Sequence, residues 1–547
     1  MSNEQPNSSD APLSRWERAL RVLRPTHAHS VFSATVVLMA STFLSSVFGL
    51  VRNMYIAWLF GGDKEADVFF SAFQLPDMIS YFLVGGAASI TFVTILTKYR
   101  ETGRDAEGER SLSVILTTML LVLGIVIVLG EIFSGVYVHH AFPGFDAEKA
   151  ALCVKLTRIL LPAQLCFFAG GVFGAVLLVR KQFNVQAVAP LIYNLGTILG
   201  GLFLVKKLGV SSLALGTVAG AFVGPFLLNA VFARRAGVRY RPILDWQDEG
   251  LREWVKMSLP LIVGVSLTTA DTWIMNYFAS HYAGAISLIS YAKRLFVAPM
   301  AVLAQAAGAA SMPFFASLWA KENHFEFATK VADSVSRVVC LGLLAASAMM
   351  VLGKPAIDLL FVGGKFSEAD AAHCAAYFAV FSLSMCFWSA QAIYSRAFYA
   401  AGNMIVPMVA GTAVTVVALP IYAGLFHHMG AMGLVLASDI GISLLAITIG
   451  VLLHRRRMVS LASLDYREMG RCLMAGVIAA LVVWGAFHLL EYGAAHLGGT
   501  QWMHRRIANF AILLAGLAGW LAVAFQILQR AGSALPKVTI RRLGLSR

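Results

Sequence analysis

About fourteen apolar stretches, most at or above the roughly 20 residues a helix needs to cross a bilayer, follow one another along this 547-residue chain. They are continuous rather than alternating. With no water in the bilayer core to take up backbone N–H and C=O groups, such runs satisfy themselves as helices. Composition agrees: only 13% of residues are charged, against roughly 25% in soluble domains, too few to cover a water-facing surface. The expected fold is an all-α polytopic membrane protein.

Loop charges set its orientation. Arg15 to Arg24 precede the first span, Lys98, Arg100, Arg104 and Arg110 follow the second, and Arg180 and Lys181 the fourth. Arg234, Arg235, Arg239 and Arg241 follow the sixth, Lys321 and Lys330 the eighth, and Arg455, Arg456 and Arg457 the twelfth. The alternate loops are poorer in Lys and Arg, Lys206–Lys207 and Arg505–Arg506 excepted, so both termini are expected on the cytoplasmic side. A short repeat, G-A-A-S-I-T-F at Gly86 and G-A-A-S-M-P-F at Gly308, recurs six spans apart and so runs the same way through the membrane. It implies two six-helix lobes related by an axis along the membrane normal. The expected organisation is an N-terminal segment (1–30), a first lobe (31–245), a second lobe (246–458), an extra helix pair (459–532) and a short cytoplasmic tail (533–547).

Ionisable residues inside the apolar runs are the candidate functional groups, because charge at membrane depth is expensive. Arg52 stands about eight residues before the end of the first span, which at 1.5 Å per residue places it roughly 12 Å deep. Arg294, beside Lys293 in Y-A-K-R-L-F, stands at a similar estimated depth in the second lobe. The guanidinium fork suits phosphate and carboxylate, so a cavity holding Arg52, Lys293 and Arg294 suits an anionic, phosphorylated substrate; pairing with carboxylates is the structural alternative. Asp67 opens the second span, where a helix N-terminal charge is an equally simple role. Asp271, in S-L-T-T-A-D-T-W, and Asp439, in L-A-S-D-I-G, are either ion-coupling groups for Na⁺ or H⁺ or hydrogen-bonded structural carboxylates.

Other chemistries find no residues. The chain has no Walker A loop, H-E-x-x-H or nucleophile elbow, so neither an enzyme nor an ATP-driven pump is expected. Its six cysteines lack a metal-ligand or C-x-x-C spacing, and no metal or other cofactor is expected. Basic residues divided among short loops argue against nucleic-acid binding.

The stretches S-S-V-F-G-L-V-R-N, A-D-V-F-F-S-A-F-Q-L-P-D, G-G-A-A-S-I-T-F, F-N-V-Q-A-V-A-P-L-I-Y-N and Y-A-K-R-L resemble the MurJ (MviN) family of lipid II flippases, within the superfamily of multidrug and polysaccharide-lipid exporters. The resemblance covers essentially the whole chain. It implies alternating-access transfer of the undecaprenyl-pyrophosphate-linked peptidoglycan precursor to the outer leaflet of the bacterial inner membrane, through a central cationic cavity. It also implies that the final helix pair forms a lipid groove. Arg52, Asp67 and Arg294 match family positions, and Lys293 and Ser80 stand where the family has other charged residues. The family often carries arginine at Ser46 and at Ser80–Tyr81, glutamate at Gly85 and aspartate at Lys293. These departures leave open another lipid-linked oligosaccharide or a multidrug antiporter. The resemblance further implies membrane lipids around a monomer, contact with the cell-wall synthesis machinery, and coupling to Na⁺, H⁺ or membrane potential. The loop charges carry a test: an impermeant thiol reagent should label a cysteine placed near Gly61 and spare one near Arg104, and labelling at Arg104 would reverse the orientation.

Overall fold

The computed structural model describes residues 31–84, 92, 95, 96, 98, 99, 102–180, 183–263, 267–301, 303, 307–496 and 506–536. The N-terminal arginines, Gly85, the start of the first repeat copy at Gly86, Arg100, Lys181, Arg505 and the basic tail lie outside these residues. Among the described residues every regular element is helical, apart from one isolated bridge between Gly363 and Phe366. The chain is an all-α, multi-pass membrane protein.

Eight described helices are long and apolar enough to cross a membrane on their own, or nine if Glu368–Leu383 and Met385–Ala400, bent by 44° at their junction, form one span. The apolar run 254–279 is described as Glu249–Val263 and Leu267–Ala279, and the run 286–318 includes Ala285–Met300 and Ala307–Ala320. Conversely, Ile405–Arg455 holds two expected spans in 51 residues, divided at Gly430 with φ 60° and ψ −139°. The chain doubles back there so tightly that a Cβ on Gly433 would lie 2.1 Å from the carbonyl oxygen of Leu425.

Packing divides the chain into two units that are not contiguous in sequence. The first comprises residues 1–52, 75–132 and 158–262; the second comprises 53–74, 133–157 and 263–547.

In the first unit, Leu112, Ile115, Leu116, Phe168 and Val172 build a core against Phe92, Phe232 and Trp254. The closest packing joins Phe183–Leu208 to Ser211–Ala221, through G-T-I-L-G at Gly196 and G-T-V-A-G at Gly216. A Cβ on Gly196 would lie 2.5 Å from the Cα of Gly220, and one on Gly200 2.6 Å from the Cα of Gly216. Between the glycines, the Thr197 and Thr217 hydroxyls bond at 2.8 Å. Lipid supplies no hydrophobic drive between membrane helices, so small residues that admit backbone contact hold the pair. The arginine-rich loops gather acidic partners: Lys98 pairs with Glu253, Arg110 with Asp245 and Arg180 with Glu109. These pairs are exposed, and each is worth little.

In the second unit, the 38-residue helix His324–Phe361 packs against Glu368–Leu383, Met385–Ala400, Tyr466–His496 and Arg506–Arg530. Leu352, Val483 and Trp520 form one junction of this bundle, and Cys340 and Cys472 another. Helix starts are capped locally: Asn323 accepts from the N–H of Glu326, and Ser367 and Asp370 form a reciprocal capping box.

The glycine seam yields a prediction. A Cβ on Gly216 would meet the Gly196 carbonyl oxygen at 2.4 Å, so Gly216→Leu should abolish the monodisperse folded peak in size-exclusion chromatography. Gly171→Leu, where nothing lies within 4 Å of the new Cβ, should keep that peak.

Candidate functional site

Arg52 lies on Val31–Phe60 and is 9% exposed. Its guanidinium carbon stands 5.9 Å from the centre of the Tyr193 ring, on the neighbouring Phe183–Leu208. Its Nε has no hydrogen-bond partner, and among the described residues no carboxylate forms a salt bridge with it. A cation–π contact offsets part of the burial cost. Among the described residues it leaves the Nε donor unused, in a medium where an unmade charged hydrogen bond is costly. This is the arrangement of a group whose acceptor comes from elsewhere. Ser80, also in the first unit, opens the π-helical turn Ser80–Val84 and is half-buried.

In the second unit, Lys293 is committed. Its Nζ is 2.5 Å from Oδ2 of Asp271 and 2.8 Å from the Thr272 hydroxyl. The other Asp271 oxygen accepts a short hydrogen bond from the Tyr422 hydroxyl. Asp271 is 4% exposed and Tyr422 fully buried, so three helices meet at a carboxylate whose charge the ammonium balances. Arg294, the next residue, is exposed.

Asp439 is different. It lies in the second arm of Ile405–Arg455, 6% exposed, and neither carboxylate oxygen has a hydrogen-bond partner among the described residues. The Ser384 hydroxyl, which donates to the Phe381 carbonyl, stands beside it, and Asp271 is near enough to act on it electrostatically. A bare buried carboxylate is among the most costly groups to hold ionised, which makes the position suited to a proton or a monovalent cation. Among the described residues no group of three His, Cys, Asp or Glu could hold a metal ion.

Asp67 has no exposure at all. It accepts from Lys149 Nζ at 3.1 Å, the Gly284 N–H at 2.7 Å and the Ser287 N–H at 2.9 Å. Gly284, at φ 78°, is the N-cap of Ala285–Met300, so Asp67 caps that helix from 217 residues away in sequence and meets the positive end of its dipole. Around this cap, Asn276 donates to Gln74 at 2.8 Å, the Gly144 N–H to the Ser280 hydroxyl at 3.1 Å, and the Lys365 N–H to the Trp58 carbonyl at 2.9 Å. The helix-charge role weighed for Asp67 is thus realised on a helix other than its own.

Sequence reasoning missed Tyr193, Tyr422 and Lys149. The phenol that reaches Asp271 carries no sequence signal in A-L-P-I-Y-A-G.

The Lys293–Asp271 pair is testable by its energetics. Removing one partner of a buried pair typically costs about 3–5 kcal/mol; Lys293 keeps 23% side-chain exposure, so Lys293→Met should cost at the lower end, about 3 kcal/mol or less. Adding Asp271→Asn should restore much of that stability. A double-mutant cycle by thermal melting that returned strict additivity would show no coupling between the two charges.

A family model described as "Lipid II flippase MurJ" matches residues 56–498. The chain is 26% identical over 507 residues to the probable lipid II flippase MurJ of Vibrio cholerae, covering 90% of this chain and 94% of that one. It is 25% identical over 512 residues to the lipid II flippase MurJ of Burkholderia cenocepacia, covering 91% and 97%. Among solved structures, it superposes on lipid II flippase MurJ in an inward closed conformation with a TM-score of 0.74, at 18% identity, covering 90% of this chain and 99% of that one. It superposes on an inward-facing multidrug resistance MATE family transporter of the MOP superfamily with a TM-score of 0.62, at 16% identity, covering 78% and 98%.

Proposed function

Since the chain belongs to the lipid II flippase MurJ family, we propose that it is a transporter and not an enzyme, moving lipid II from the cytoplasmic to the outer leaflet by alternating access for cell-wall synthesis. The observation that carries the reading is Arg52, a buried guanidinium with an unpartnered Nε and no carboxylate bound. A pyrophosphate supplies the acceptors this fork lacks, and Arg294 and the Ser80 hydroxyl are assigned to the same headgroup. Lys293 contributes to headgroup binding only when it leaves Asp271. Asp67, saturated by three donors, acts on the substrate by holding the helix that carries Lys293 and Arg294. Asp271 and Asp439 are assigned to coupling, through a proton or Na⁺ taken up at Asp439, or through membrane potential.

The protein is placed in the bacterial inner membrane as a monomer with both termini cytoplasmic, in contact with the machinery that consumes its product. The lysine at 293 and the serine and tyrosine at 80 and 81, where the family commonly has other charges, favour one second reading: a lipid-linked oligosaccharide other than lipid II.

Charge-assisted hydrogen bonds contribute about 1.5–3 kcal/mol each, so losing one should weaken headgroup binding roughly ten- to a hundred-fold. Arg52→Ala and Arg294→Ala should therefore abolish lipid II flipping in reconstituted vesicles at normal protein levels. The lysine variants, which keep charge but lose the fork, should retain little. Full flipping by the double alanine variant would remove both arginines from the mechanism. Flipping of another polyprenyl-linked glycan in preference to lipid II would favour the second reading.

A further inference from the structure

The second unit contains a cavity of about 260 Å³ whose lining holds no charged residue. Val335 and Val339 form one wall, Phe387, Ala390 and Tyr394 another, and Ala446, Ile447, Gly450 and Val451 a third. Leu461 and Leu464, in the connection between Ile405–Arg455 and Tyr466–His496, close it together with Tyr466 and Met469 of the latter helix. That connection is held in place: the Leu461 N–H points to His454 Nδ1 at 3.4 Å, and the Asp465 N–H donates to the Ser336 hydroxyl at 3.0 Å.

Of the three polar side chains in the lining, Cys386, Tyr394 and Tyr466, two are already used. The Tyr466 hydroxyl donates to the Leu461 carbonyl at 2.9 Å, and the Cys386 thiol to the Leu383 carbonyl. A buried water needs two to four polar partners, so water is a poor filling, and hydrocarbon is the natural one in a bilayer. Three arginines follow the wall that Ala446, Ile447, Gly450 and Val451 form. Gly450 and Ala446 lie five and nine residues before Arg455, which at 1.5 Å per residue is roughly 8 and 13 Å along the helix. Arg455, Arg456 and Arg457 follow directly, all exposed, with the Arg456 guanidinium 5.9 Å from the Phe398 ring. An apolar slot beginning within one or two helical turns of three arginines has the dimensions of a lipid: phosphate at the arginines, first methylenes of a chain below.

We propose that this cavity is a binding site for an anionic membrane phospholipid, with one acyl chain between Ile447 and Leu464 and the phosphate on Arg455, Arg456 and Arg457. The site is separate from the headgroup site assigned to Arg52 and does not depend on which glycolipid is moved. Its occupant bridges the end of Ile405–Arg455 to the connection that leads into Tyr466–His496, so lipid composition sets how firmly that helix is seated.

The test uses the full chain, delipidated in detergent, with thermal melting and native mass spectrometry as readouts. Dioleoyl-phosphatidylglycerol should raise the melting temperature at least twice as much as dioleoyl-phosphatidylcholine, and should survive as an adduct to higher collision energy. Glycerophosphoglycerol, the headgroup without chains, should do neither. The triple variant Arg455→Gln, Arg456→Gln, Arg457→Gln should reduce the phosphatidylglycerol effect to the phosphatidylcholine level. Ile447→Trp, at a half-exposed lining position that tolerates a larger ring, should remove both effects. Equal stabilisation of the native chain by the two phospholipids would overturn the proposal, as would full stabilisation by the headgroup alone or stabilisation by undecaprenyl phosphate but not phosphatidylglycerol. All three of these arms use the unmutated chain, so they decide the matter even where a variant fails to fold.

Discussion

A carboxylate with no exposure to solvent organises the second unit. Asp67 brings together three pieces of chain distant in sequence: its own short helix, Lys149, and the start of the helix that carries Lys293 and Arg294. The arrangement is self-consistent in energy. An unpaired carboxylate there would cost several kcal/mol. Two backbone N–H groups that a helix start leaves unsatisfied meet it together with one ammonium, so each removes the penalty of the other. Residues 53–74 and 133–157 therefore pack with residues 263–547 through polar groups as well as apolar contact, with Gln74–Asn276 and Gly144–Ser280 repeating the theme.

Against that background, the charges inside the helices fall into two kinds. Asp67 with Lys149, and Asp271 with Lys293 and Tyr422, are compensated inside the protein. Arg52 and Asp439 keep buried polar atoms without a partner. Native structures leave few such atoms, because the desolvation penalty has nothing to offset it. Within the compensated kind, Lys293 satisfies Asp271 while its ammonium, at 23% exposure, remains within reach of solvent.

The membrane class, the helical fold and the burial of Arg52 were legible in the sequence, because each depends on local spacing. The partners were not legible. Lys293 finds Asp271 22 residues away on another helix, Tyr422 reaches it from 151, and Gly284 meets Asp67 across 217; no periodicity within one helix encodes these distances. Arg294 shows the limit of depth arithmetic. Counting residues from a span end gives it the same depth as Arg52, but which side of the helix it occupies depends on neighbours the count does not include, and the structure leaves it exposed. The division of residues 53–74 from residues 1–52 was equally hidden, since the chain between Arg52 and Asn53 is an uninterrupted helix.

The irregular turns of backbone follow from the same scarcity of partners. In a bilayer a broken helix is tolerated only where another group re-satisfies the freed N–H or C=O. Beside Pro225, inside the π-helical turn Phe222–Leu228, the Asn229 side-chain amide donates to the Pro225 carbonyl at 2.8 Å and to the Gly170 carbonyl at 3.1 Å. Gly170 makes the contact possible, because a Cβ there would stand 2.1 Å from the Pro225 oxygen. One asparagine and one glycine thus hold a bend that proline and the π-turn impose, and fix Ala163–Val179 against it.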